Sequence, residues 1–188
     1  MIGWNEDIKK ELGACGENVK IGYNVIFTNP KKVFLGDNVR IDPFTLITSG
    51  LKTGNYIQIC SHSILGGSYN TIYMEDWTTI GYHCQLFTST EDYSGNYGPV
   101  NEYWFKNKRY SGDIIFKMHS GLASNVMVFP NIIFPDGCKI GANSAVYKQI
   151  NFEPWSIYVG NPAKLIKYRN KDKIIELIHD KENYNERI

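Results

Sequence analysis

Apolar residues return along this chain every sixth position, at Phe116, Leu122, Val128, Phe134, Ile140 and Val146. That spacing fits neither an amphipathic helix, with a period of about 3.6, nor an alternating strand, with a period of about 2. The fourth residue after each anchor is small or apolar as well: Ser120, Val126, Ile132, Cys138 and Ser144. Hexapeptide periodicity of this kind predicts short strands lying flat on the faces of a prism, coil stacked upon coil, as in a parallel β-helix.

The register continues upstream through Leu35, Ile41, Ile47, Thr53, Ile59 and Leu65, with Val39, Thr45, Leu51, Ile57 and Ser63 as their inward partners. Ile21 and Phe27 come before it, separated by a phase break near Asn29 and Pro30. Met74, Ile80 and Leu86 resume it after an insertion around Gly66–Thr71. Gly follows many anchors and Asn or Asp recurs near the corners, where a tight bend needs positive φ.

The pattern divides the chain into a lead-in at 1–18, a β-helix at 19–150 with an inserted loop at about 91–112, and a C-terminal segment at 151–188. In the lead-in Trp4, Ile8 and Leu12 share one helical face, suited to covering the first coil. The loop is polar and aromatic, and loops of that length in compact domains are usually functional. Asp92 to Tyr110 spans 18 residues, the length of one three-faced coil, so phase alone leaves an excursion and an extra coil both open. The polar residues at Asp92 and Gly98 favour the excursion. Glu153-Pro154-Trp155 is expected to end the repeat, and Gly160-Asn161-Pro162-Ala163-Lys164 to lead into a helix with Ile174, Ile175, Leu177 and Ile178 on its apolar face.

With 188 residues and a net charge of +1, the chain suits one domain and shows no electrostatic footprint for nucleic acid or a membrane surface. No apolar run is long enough to span a bilayer, and no signal peptide is evident. The four cysteines lack disulfide or CxxC spacing. Cys84 and Cys138 fall on inward positions and Cys60 beside an anchor, which predicts buried free thiols and a cytoplasmic setting.

Hexapeptide repeats, one mid-chain loop and the closing Glu153–Lys164 segment together resemble the left-handed β-helix acyltransferases. Leu65-Gly66-Gly67 and Ser89–Gly95 carry a closer likeness to the sugar O- and N-acetyltransferases of surface-polysaccharide pathways, lipopolysaccharide biosynthesis among them. The resemblance implies an all-β, left-handed parallel β-helix with a mid-chain loop and a short C-terminal helix. It also implies a homotrimer with active sites between prisms, acetyl-CoA as co-substrate, no metal, and a sugar or nucleotide-linked sugar as acceptor. Residue by residue it suggests Ser124, Ala142, Tyr147 and Lys148 along the CoA groove, with Lys164 and Lys167 near the CoA phosphates.

In the galactoside branch of that family the general base is a His near the start of the loop, where this chain reads Thr88-Ser89-Thr90-Glu91-Asp92. Glu91 and Asp92 are therefore candidates if burial raises their pKa. His62, His83 and His119 each follow an anchor by three residues, so counting in coils places all three on one corner. Imidazole is the natural base at neutral pH. His119, next to the loop, is the first candidate, His83 the second, and His62 a candidate for holding substrate. An amine acceptor would instead attack through its own neutral form. Gly121 and Ala123 are small enough for their N–H groups to meet an oxyanion. Tyr93, Tyr97 and Trp104 are candidates for stacking on the acceptor; His179 reads as a helix-surface residue.

Two rival readings remain at this stage. Three histidines on one corner suggest a zinc enzyme of the γ-carbonic anhydrase kind, although that family uses a closely spaced His pair. A trimeric scaffold without catalysis is the other.

Overall fold

The computed structural model describes residues 4–67, 69–90 and 110–177. They build a three-faced parallel β-helix with one short C-terminal helix, as the period of six predicts. The first face stacks Ala14–Cys15, Val33–Leu35, Gly50–Thr53, Thr71–Met74, Ile114–Phe116 and Ile132–Phe134. The second stacks Lys20–Ile21, Arg40–Ile41, Gln58–Ile59, Thr79–Ile80, Gly121–Leu122, Lys139–Ile140 and Ser156–Val159. The third stacks Ile26–Phe27, Leu46–Ile47, Ile64–Gly66, Gln85–Phe87, Met127–Val128 and Ala145–Val146.

Anchors sit on anchors. Met74 lies opposite Thr53 and Phe116, Ile80 opposite Ile59 and Leu122, and Leu86 opposite Leu65 and Val128. A coil with extra residues bulges at its corners and rejoins the same register, because only a matched register buries every anchor. Thr71–Met74 pairs directly with Ile114–Phe116, so no strand enters the first face between them. Ser89–Thr90 pairs antiparallel with Tyr110–Ser111, and the chain leaves and returns at the corner between the third and first faces.

The interior is filled from two positions per hexapeptide. Phe116 and Phe134 stack at 4.9 Å on successive coils, and Phe152 continues the pile at 5.2 Å from Phe134. Truncating Phe116 to Ala would cost about 3–5 kcal/mol through lost transfer energy and a cavity. Inward hydroxyls bond to the backbone nearby: Thr45 Oγ1 donates to the carbonyl of Asp42 at 2.9 Å and Ser63 Oγ to that of Gly81 at 3.0 Å.

Corners adopt the left-handed backbone. Asn125 (φ 60°) and Asn143 (φ 56°) do so cheaply and link by an amide hydrogen bond of 2.6 Å. Rings take the same conformation at Phe44, Tyr56, His62, Trp77, His83, His119 and Trp155, a strain of about 1–2 kcal/mol each. Stacking offsets part of it, as where Tyr56 and Trp77 lie 4.2 Å apart and nearly parallel.

At the N-terminal end, a short 3-10 helix at Asp7–Glu11 precedes buried Leu12, Ile8 packs on the core, and Trp4 bridges to Gly22. The other end departs from expectation. Trp155 occupies a corner, Ser156–Val159 continues the second face, and the Gly160–Lys164 turn leads into an antiparallel strand, Lys164–Tyr168, rather than a helix. The helix starts later, at 171–177, with Ile174 and Ile175 half-buried. Among the described residues no helix is long and apolar enough to cross a membrane.

Candidate active site

Face order, not residue count, decides where each histidine stands. Ile59 and Ile80 are anchors of the second face, so His62 and His83 turn the corner from the second face to the third. Their rings stack at 5.0 Å, with Phe44 continuing the column 5.2 Å from His62. Phe116 anchors the first face, which puts His119 on the corner between the first and second faces. There it stacks between Trp77 at 6.3 Å and Trp155 at 5.6 Å. The expected column of three histidines is therefore a column of two, and the zinc reading loses its premise.

The backbone at His119 is held in place. Its carbonyl accepts from Arg169 Nη1 at 3.2 Å, and the same nitrogen donates to the Gly137 carbonyl at 2.6 Å. Burial pushes the His119 imidazole below its ordinary pKa, and the Arg169 and Lys139 charges push the same way. The whole second face separates it from the corner that carries Ser124 and Ala142.

Those two residues stand on the same corner as His83, though neither lines the cavities beside it. The N–H of Asn125 donates to the Tyr82 carbonyl at 2.7 Å and that of Asn143 to the Ser124 carbonyl at 3.1 Å, stacking the three corners. A cavity of about 170 Å³ lies beside them, walled by His83, Gln85, Asn125, Met127, Asn143 and Tyr147. It shares Ala145 and Tyr147 with a wider cavity of about 540 Å³ lined by Lys148, Phe152, Pro162 and Lys164. The two adjoin at these residues, a groove with an imidazole at one end and two ammonium groups at the other. Tyr147 packs its ring 5.1 Å from Phe129 and stays half in solvent.

Lys167 pairs with Ile157 on the added strand and lines neither cavity. Glu91, Asp92, Tyr93, Tyr97, Trp104 and His179 lie outside the described residues. Gly121 and Ala123 do not offer oxyanion donors: their N–H groups donate to Cys138 at 3.0 Å and Ile140 at 2.8 Å. Gly121 instead leaves room for the Lys139 side chain, whose Nζ donates to the Ser120 carbonyl at 2.9 Å. Sequence reasoning missed Gln85, Asn125, Met127 and Asn143, although each stands at a corner or outward position that the hexapeptide phase marks. Cys60, Cys84 and Cys138 are buried as expected, and burial pushes the Cys84 and Cys138 thiols up to about 11.

The coiled prism is the hexapeptide-repeat fold, and the comparisons place the chain among its acyltransferases. Over 175 residues the chain is 34% identical to the dTDP-4-amino-4,6-dideoxy-D-glucose acyltransferase of Escherichia coli, covering 89% of this chain and 88% of that one. It is 28% identical over 169 residues to the putative colanic acid biosynthesis acetyltransferase WcaF of Escherichia coli K12, covering 88% and 75%. The crystal structure of AntD, an N-acyltransferase from Bacillus cereus, superposes with a TM-score of 0.89 at 30% identity over 99% of this chain and 100% of that one. That AntD structure contains dTDP and 3-hydroxybutyryl-CoA, and one of a variant contains dTDP-4-amino-4,6-dideoxyglucose and coenzyme A. No protein-family model matches the chain. The chain belongs to the hexapeptide-repeat acyltransferases, the family its sequence resembles, and is an enzyme of that class.

Proposed function

We propose that this chain transfers an acyl group, acetyl in the simplest case, from its CoA thioester to the amine of a nucleotide-linked amino sugar, as a step in making a surface polysaccharide. The observation that carries the reading is the groove running from His83 to Lys148 and Lys164. Its narrow part suits an extended pantetheine arm between small corner residues, and its wide, basic part suits an adenine nucleotide with phosphates. The relatives that act on or bind dTDP-linked amino sugars support an amine over a hydroxyl as acceptor.

In this scheme the neutral amine attacks the thioester carbonyl, a C–N bond forms, and the C–S bond breaks as the tetrahedral intermediate collapses. His83 takes the proton that the nitrogen sheds and returns it to the departing CoA thiolate. No side chain need be acylated. His62 holds the His83 ring by stacking, a positioning role, and Phe44 backs the His62 ring. The enzyme works as a homotrimer in the cytoplasm, where CoA thioesters and nucleotide sugars are made. Exposed Ile26, Phe44 and Ile64 around the third face favour burial against a second copy.

The test is release of free thiol from acetyl-CoA with a dTDP-linked 4-amino sugar and with its 4-hydroxy counterpart, together with light scattering for the trimer. Release with the amine supports the proposal. Release with the hydroxyl sugar alone would refute the amine assignment.

A further inference from the structure

The outer side of the third face carries a ladder of side chains, one per coil: Ile26, Leu46, Ile64, Gln85, Met127 and Ala145. Five are apolar and one is not. Gln85 lies in register with Ile64 on one side and Met127 on the other. A carboxamide set between apolar neighbours loses part of its water, and neither neighbour offers it a hydrogen bond in return. Its side chain makes no hydrogen bond to another described residue. The coil that holds this exception is the coil of His83, and both residues line the narrow cavity of about 170 Å³.

That cavity has few donors left over. The backbone N–H groups of His83, Gln85, Asn125, Met127, Asn143 and Ala145 all donate to neighbouring coils. Asn125 Nδ2 donates to Asn143 Oδ1 at 2.6 Å. Ser144 Oγ donates to the Ala142 carbonyl at 3.4 Å and accepts the N–H of Gly160 at 2.9 Å. Asn161 stands three coils away from His83. At the level of the imidazole, the donor still unclaimed is Gln85 Nε2, with two N–H bonds.

When a nucleophile attacks a thioester, the π pair of the carbonyl moves onto oxygen, and the oxyanion needs a fixed donor within reach. We infer that Gln85 Nε2 donates a hydrogen bond to the carbonyl oxygen of the bound acyl thioester and to the oxyanion formed from it. The pair returns to the C–O bond as the C–S bond breaks, and the carboxamide keeps its own protons throughout. Gln85 holds the developing charge on oxygen while His83 handles the proton on nitrogen. Ile64 and Met127 keep the local dielectric low, which strengthens the bond. The inference rests on the acyl transfer proposed above and adds a catalytic residue that touches the acyl donor, not the acceptor.

Steady-state kinetics on Gln85→Met tests this first. Methionine keeps the length of the side chain and completes the apolar ladder, so the melting temperature should not fall. Turnover should drop by about 10²-fold, the usual loss for one oxyanion donor. KM for acetyl-CoA and for the amino sugar should stay within about threefold, since the bond matters most in the transition state. Gln85→Glu, which sets a negative charge beside the oxyanion, should lose more than Gln85→Met. A side chain that only packs would lower the melting temperature, and one that binds the acceptor would raise acceptor KM. Undiminished kcat in Gln85→Met, or a loss carried by KM alone, overturns the assignment. Infrared difference spectra of acetyl-CoA, isotope-labelled at the acetyl carbonyl and bound without acceptor, give an independent reading. The carbonyl stretch should lie at lower frequency in the wild type than in Gln85→Met, and equal frequencies overturn the contact. A stretch that depends on Gln85, with no thiol release to any amino sugar, upholds the contact and refutes the amine acceptor. Protein that does not bind acetyl-CoA refutes both.

Discussion

His62 and His83 stack at 5.0 Å on successive coils, while His119 stands one corner away between two tryptophans. Chemistry should therefore follow His83. His83→Ala is expected to lower kcat/KM for the amino sugar by about 10²-fold or more, the ordinary contribution of a general base. His119→Ala should leave turnover within a few-fold and lower the melting temperature, since it removes a ring from the Trp77–Trp155 column. Steady-state kinetics beside thermal unfolding on both variants checks the pair.

Lys148 and Lys164 are exposed at the wide end of the groove. Replacing either by Ala should raise KM for the acyl-CoA by about three- to tenfold, a loss near 1 kcal/mol for a screened charge contact. Acceptor KM should not move. The wild-type KM for acyl-CoA should rise with salt, and less steeply in the double variant.

The histidine corners also mark how far the sequence reached. The period of six identified all three faces, the inward positions and the buried cysteines, because burial inside a narrow prism imposes the same constraint at every coil. It misled at His119. Thirty-six residues from Ile80 to Phe116 look like two coils, but Thr71–Met74 pairs directly with Ile114–Phe116, so the two strands are neighbours on the first face. Counting faces would have corrected this: Leu86 anchors the third face, so Phe116 must resume on the first. The cavity residues Asn125 and Asn143 were hidden for a different reason, since Asn at a positive-φ corner is explained by backbone geometry alone.

Lys139 offers a pH test. Burial, and then the Arg169 charge, push its ammonium from the ordinary 10.5 down to about 8. Between about pH 8 and 10.5 the unfolded chain holds a proton there that the folded chain has shed, so this group makes stability rise with pH across that window. Below about pH 8 its cost is present in full. Lys139→Met should remove that rise, seen as the difference between wild-type and variant urea midpoints from pH 7 to 10.5. Parallel curves would contradict it.

Gly137 turns the first corner at φ 68°, and a Cβ there would overlap the Trp155 ring. Gly137→Ala is expected to destabilise by about 1–3 kcal/mol through strain and the displaced tryptophan. Trp155 fluorescence should shift in the native state, while acyl-CoA KM should stay near wild type because the groove lies on another corner.

The most direct test of the central claim is thiol release from acetyl-CoA, followed by mass analysis of the product, with dTDP-4-amino-4,6-dideoxyglucose as acceptor. The account predicts one thiol released per acceptor consumed, an N-acylated product, and loss of both signals in His83→Ala. Full turnover in His83→Ala, or a product acylated on oxygen, would contradict it.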